Sequence, residues 1–319
     1  MNPRMTAKLI FSITIGTLFV LSPPPALAQG GGTWTTEAPM PTARDILAAA
    51  EIDGVIYAVG GEVANNCSPV GTVEAFDPAT NTWNTKSPMP TPRWFVAAEQ
   101  VNGILYTVGG QTGCGGAVGT VEAYDPSTDT WSSKAPMPTP RWGAGIVALD
   151  GLLYVIGGGD VGNNPLTTVE AYDPASDSWT TLPSMPTARS RAGAAEVHGL
   201  IYVIGGNNFG NIPLATVEAF DAETNIWAEK APLPIAKSGF GIGVVNGIIY
   251  AAGGGDNTGF STTNESYKPS SDAWTIRAPM PTARNGLGAA VVKGTLYAIG
   301  GLNVSGELAV NESFELHGN

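Results

Sequence analysis

The chain has 319 residues, of which only 13% are charged, and a formal net charge of −12. An acidic chain without clustered Lys and Arg makes a poor partner for phosphate backbones, whose affinity comes from basic patches releasing counterions, so no nucleic-acid partner is expected. Its 42 glycines and 25 prolines describe many short strands joined by tight turns and exclude heptads or long amphipathic helices.

In chain order, residues 1–28 read as a secretory signal peptide. Arg4 and Lys8 supply the positive region, Leu9 to Leu21 the apolar core, and Ala26-Leu27-Ala28 the small-residue cleavage site. Cleavage there removes two basic residues and no acidic ones, taking the charge from −12 to −14. No later segment is long and apolar enough for a transmembrane helix. The expectation is an exported protein, periplasmic or extracellular, monomeric, with a single domain over residues 29–319.

An internal period then organises the chain. Trp34, Trp83, Trp131, Trp179, Trp227 and Trp274 lie 49, 48, 48, 48 and 47 residues apart, which defines six units. Each unit carries a Gly-Gly doublet, from Gly60-Gly61 to Gly300-Gly301, with a tyrosine three residues earlier, from Tyr57 to Tyr297. A further aromatic set runs from Phe76 to Phe314. Each unit reads as four short strands. In the second, these are residues 96–101, 104–109, 120–124 and 130–133, with Asn-Gly and Asp-Pro-Ser-Thr at two of the turns. Stretches such as VIYAVGG are apolar on both faces and need cover on both sides, as blades around an axis provide.

These residues resemble kelch repeats, whose family fold is a β-propeller. The resemblance spans essentially the whole of residues 29–319, with local departures: Ala222 replaces a turn proline and Lys237 replaces a repeated arginine. It implies an all-β, six-bladed propeller with four antiparallel strands per blade. The lone N-terminal strand around Trp34 should complete the last unit and close the ring.

Candidate site residues come from the Met-Pro-Thr-x-Arg segment that enters each unit. The resemblance places Arg44, Arg93, Arg141, Arg189 and Arg284, with Lys237, around the mouth of the central channel as ligand-binding groups. The competing reading is structural. Glu74, Glu122, Glu170, Glu218, Glu265 and Glu312 recur once per unit in apolar strands, where a lone carboxylate is costly, so they call for cations. Arg191 stands outside the repeat and is the better ligand-binding candidate. Two residues beyond Arg189, it should point to the same side of a strand. Trp94 and Trp142 occupy positions where other units have Asp45, Ser190, Ser238 and Asn285, so the blade does not require them. They form an apolar wall for a ligand or they fill the top of the channel.

Cys67 and Cys114 fall in the same loop of adjacent units, and an exported chain with no other cysteine reads first as carrying a disulfide between them, with two free thiols or an intermolecular bridge as the alternatives. Only His198 and His317 are present. Relatives of this fold hold copper or iron with histidines, and neither ligand set can be assembled here, so no metal, cofactor or catalytic residue is assigned. The leading expectation is a non-catalytic binding propeller for a carbohydrate, an anionic small molecule or a protein or peptide. The alternative is a sugar-processing enzyme, because six-bladed kelch proteins of the bacterial periplasm include a sialic acid mutarotase, which this chain resembles in repeat type, blade number and export. A rigid structural or adhesive spacer is the third possibility.

Overall fold

A computed structural model of the chain describes residues 31–64 and 66–316. The expected leader, Asn65 and His317 lie outside the described residues. Six four-stranded antiparallel sheets form the blades of a propeller. Blade one is Ala48–Ile52, Val55–Val59, Val73–Asp77 and Thr82–Lys86, and blades two to five repeat that order from axis to rim. Blade six takes three strands from the C-terminal end, Gly288–Val292, Thr295–Ile299 and Asn311–Glu315. Its outer strand is Thr33–Thr36, antiparallel to the last strand with Trp34 opposite Phe314. The ring therefore closes through the N-terminal strand, as the repeat predicts. Among the described residues, no helix is long and apolar enough to cross a membrane.

The second strand of each blade is buried on both faces, as in Ile56, Ala58 and Val59, which have no measurable exposure. Each of these strands stops before its Gly-Gly doublet, one residue earlier in blade two than the sequence suggests, at Val108. The doublet leaves the extended region: Gly60 and Gly61 have φ of 65° and 101°. A Cβ on Gly60 would lie 2.5 Å from the carbonyl oxygen of Arg93, and one on Gly61 2.6 Å from that of Asp45. Only glycine lets the strand end approach the entering segments of two blades this closely.

The repeated tryptophans hold the blades to one another. Each indole N–H donates to a main-chain carbonyl of the segment that enters its own blade from the outer strand of the preceding one, as in Trp83 to Ala38 at 2.8 Å and Trp131 to Ser87 at 2.9 Å. Trp34 makes the equivalent bond to Ala278 at 2.9 Å, so the closing strand is clasped like the other five. Each indole also packs on the aromatic ring of the adjacent strand, with centroids 5.0–5.2 Å apart. Burying one such ring contributes roughly 2–3 kcal/mol, which makes the clasp a large part of blade cohesion.

Candidate functional site

The Met-Pro-Thr-x-Arg motif builds a buried clamp. Arg44, Arg93, Arg141, Arg189 and Arg284 are at most 1% exposed and do not line the mouth, contrary to the expectation that they ring it. Each turns into its own blade and pairs with that blade's repeated glutamate. Arg44 meets Glu74 at 2.6 Å, Arg93 meets Glu122 and Arg141 meets Glu170 at 2.7 Å, and Arg284 meets Glu312 at 2.6 Å. Arg189 pairs with Glu218 and Lys237 with Glu265. The motif threonine takes the other carboxylate oxygen, as Thr42 does on Glu74 and Thr139 on Glu170, both at 2.8 Å. Blade five has Ile235 in place of the threonine, and there Glu265 Oε1 lacks a partner. The physical reason for the burial is mutual: the apolar strands leave each glutamate no water, so the only affordable cation position is inside the blade. Burial lowers the pKa of each arginine and the glutamate opposes that shift.

Two residues beyond each clamp cation, the main chain forms a second repeated device. Ile46, Phe95, Gly143, Arg191, Gly239 and Gly286 all have φ between 51° and 62°. The N–H of each donates to the carbonyl of its counterpart in the preceding blade. The distances run Phe95 to Ile46 3.1 Å, Gly143 to Phe95 2.9 Å, Arg191 to Gly143 2.7 Å, Gly239 to Arg191 3.0 Å and Gly286 to Gly239 2.8 Å. Ile46 to Gly286, at 2.6 Å, closes the circle. This backbone ring encircles the propeller axis. Glycine fills three of its places without strain, whereas isoleucine, phenylalanine and arginine each cost about 1–2 kcal/mol in this conformation. A position that needs glycine and carries a large side chain is where a site is expected.

The expectation that Arg191 shares a side with Arg189 fails here, because residue 191 is left-handed and not extended. Arg189 enters the blade while Arg191 reaches across the channel. Its guanidinium carbon lies 5.4 Å from the centre of the Phe95 ring, a cation–π contact. One of its nitrogens lies 2.9 Å from where a Cβ on Gly239 would stand, so the neighbouring glycines make room for it. Among the described residues, no carboxylate forms an ion pair with it. Phe95, which sequence reasoning passed over, sits between Trp94 and Trp142 with ring centres 5.0 and 4.8 Å away. The two indoles are tied down, Trp94 to the carbonyl of Gly113 and Trp142 to that of Asp160. Trp142 is 8% exposed and lies flat on Gly159, so it supports the wall more than it forms it. A cleft of about 480 Å³ opens beside them, lined by Phe95, Trp142, Asn163, Ser190, Arg191 and Asn208.

Beside that aromatic sector, in blades one and six, lies an acidic one. Asp45 is 2% exposed, and its Oδ1 accepts no hydrogen bond. Its Oδ2 stands 3.7 Å from the Cβ position of Gly286, over the backbone ring. Burial, with Glu62 and Glu307 nearby, pushes its carboxyl up to about 7, against the pull of Arg191. Neither Asp45 nor its acidic neighbours repeat in the other blades, a signal the sequence offered in the mismatch between Asp45 and the tryptophans, serines and asparagine at equivalent places.

Residues 46–254 and 96–301 match the protein family described as the KLHDC2/KLHL20/DRC7 kelch-repeats domain. The chain belongs to the kelch-repeat family. No curated protein matches it. Among solved structures, one titled "Structure of YjhT" superimposes with a TM-score of 0.75 at 17% identity, covering 86% of this chain and 95% of that one. At that identity the likeness establishes the shared propeller and nothing about ligands.

Two features distinguish this kelch propeller from a bare ring of repeats. Cys67 and Cys114 form the expected disulfide, with Cα atoms 4.9 Å apart, joining the mouth loops of blades one and two. At the other end of the channel, a cavity of about 340 Å³ contains Glu51, Glu99 and Glu196. There, each carboxylate already accepts a main-chain N–H: that of Gly54, Gln100 and Gly199 respectively. His198 is in the adjoining hairpin turn, far from the mouth by topology. Among the described residues, no His, Cys, Asp and Glu group is arranged to hold a metal ion.

Proposed function

We propose that this is a binding propeller whose channel mouth takes a small organic anion, such as a carboxylated sugar or comparable carboxylic acid, held by its carboxylate on Arg191. The observation that supports it is that Arg191, unlike the six clamp cations, forms no ion pair among the described residues and stands in a strained conformation against an aromatic face. A guanidinium prefers the fork geometry of a carboxylate, and a partly dry mouth strengthens the pair. Phe95 and the edge of Trp142 offer the planar body of the ligand an apolar wall, and Asn163 and Asn208 supply polar contacts at the rim. Export through the leader fits the disulfide.

The variant that tests this reading is Arg191→Gly. Glycine occupies the same ring position in blades three, five and six, so the fold should survive and gain up to about 1 kcal/mol from relieved strain. Affinity for a hexuronic acid or an aromatic carboxylate, measured by calorimetry, should fall about a hundredfold. Equal binding of hexuronic acid and neutral hexose, or retained affinity in the variant, would remove Arg191 from the site.

A second reading, a sugar-processing enzyme of the mutarotase kind, is favoured by Asp45. A carboxyl titrating near neutrality can accept the proton of an anomeric hydroxyl, return it to the ring oxygen as the ring C–O bond breaks, and reverse both transfers on the opposite face. The protein should then speed anomer equilibration of a hexuronic acid followed by NMR, and Asp45→Asn should abolish that acceleration. A rate equal to the buffer's leaves binding as the whole function.

A further inference from the structure

The mouth carries more negative charge than its one guanidinium balances. Glu62 and Glu307 both act on Asp45, and Arg191 is the cation acting on it. The Glu62 carboxylate is engaged by the N–H of Cys67. Asp45 Oδ1 and Glu307 Oε1, by contrast, are buried acceptors with no donor among the described residues. A buried acceptor without a donor costs about 1–3 kcal/mol, and more when charged, unless something supplies the missing hydrogen. A sugar hydroxyl supplies hydrogens without charge. A metal ion is disfavoured by the adjacent guanidinium and by the absence, among the described residues, of a ligand group arranged for one. A primary ammonium supplies both three donors and the compensating charge.

Both poles lie on the same rim. Arg191 sits over the Cβ position of Gly239, which itself lies 3.4 Å from the N of Gly286, and Asp45 sits over the Cβ position of Gly286. They are thus neighbours over adjacent ring glycines, each sensing the other's charge, yet not joined as an ion pair. We infer that the mouth contains an ammonium subsite at Asp45 and Glu307 beside the carboxylate subsite at Arg191, so that its ligand is a small zwitterion, an amino carboxylate with an apolar or aromatic body. This rests on the reading of Arg191 as the anion-binding group and adds the second charge and the ligand class. The glycines at 239 and 286 then have a function beyond backbone freedom, since any side chain there would fill the gap between the two poles.

The test uses three probes on the purified protein: L-phenylalanine, 3-phenylpropionate, which lacks the amine, and 2-phenylethylamine, which lacks the carboxylate. Phenylalanine should bind at least tenfold more tightly than either single-charge probe. Asp45→Asn should erase that advantage while leaving phenylpropionate affinity equal or improved. The substitution is compatible with the loop, because Asn285 holds the same place in blade six. Glu307→Gln provides a second variant with the same expected direction and a smaller loss. Phenylpropionate binding as tightly as phenylalanine, or phenylalanine not binding at all, overturns the ammonium subsite. Arg191→Gly separates the two ideas: if phenylpropionate binding is lost there but phenylalanine never had an advantage, the anion site stands and the zwitterion does not. If phenylpropionate binding is indifferent to Arg191, both readings fall.

Discussion

Arg141→Met is expected to cost about 3–5 kcal/mol of unfolding free energy, because it strands Glu170 inside blade three. Arg141 is 1% exposed, donates to Glu170 at 2.7 Å and to the carbonyl of Val155 at 3.0 Å, and ties the entering segment to the second and third strands of its blade. Methionine nearly fills the volume but leaves the carboxylate, itself 1% exposed, with Thr139 as its remaining side-chain donor. The double variant Arg141→Met with Glu170→Met removes both charges and should recover most of the loss, since a packed apolar pair often matches a buried ion pair. Urea denaturation followed by tryptophan fluorescence measures both. A single variant within 1 kcal/mol of the parent would mean that the clamp is decorative, and the repeated glutamates would then need another explanation.

Removing the disulfide by Cys67→Ser with Cys114→Ser should lower stability by about 4 kcal/mol, the chain-entropy figure for a loop of this size. The cysteines are 47 residues apart, one blade's length, so the bridge restrains the unfolded chain over a full repeat. The change should also be felt in the mouth. The main chain of Cys67 holds Glu62, and the carbonyl of Gly113, beside Cys114, holds the Trp94 indole. Equal denaturation midpoints for oxidised and reduced protein would show that blade-to-blade packing alone fixes these loops.

How much of this was legible beforehand differs between scaffold and site. The period of the tryptophans and glycine doublets was enough for blade number, strand order and ring closure, because each unit must bury the same faces against the next. The buried glutamates were also visible, since a carboxylate repeated inside apolar strands demands a cation at the same period. The arginines were ambiguous only because one segment contains both the clamp residue and, two places later, the residue facing the channel. Nothing in the local pattern of Ser190-Arg191-Ala192 distinguishes an extended backbone from a left-handed one.

The sequence by itself thus determined the all-β repeat fold and the closing strand, which follow from spacing and from the solvent each residue type tolerates, and it singled out the cysteine pair that the structure bridges. The tertiary structure alone decided which cations are scaffold and which is a site. That distinction depends on the six-membered backbone hydrogen-bond ring, which forms only once all blades are assembled around the axis. The same assembly brings Asp45 of blade one, Glu307 of blade six and Arg191 of blade four to one rim. Residues so far apart in the chain are neighbours only because closing the ring puts its first and last blades side by side, and because two glycines between them leave the space empty.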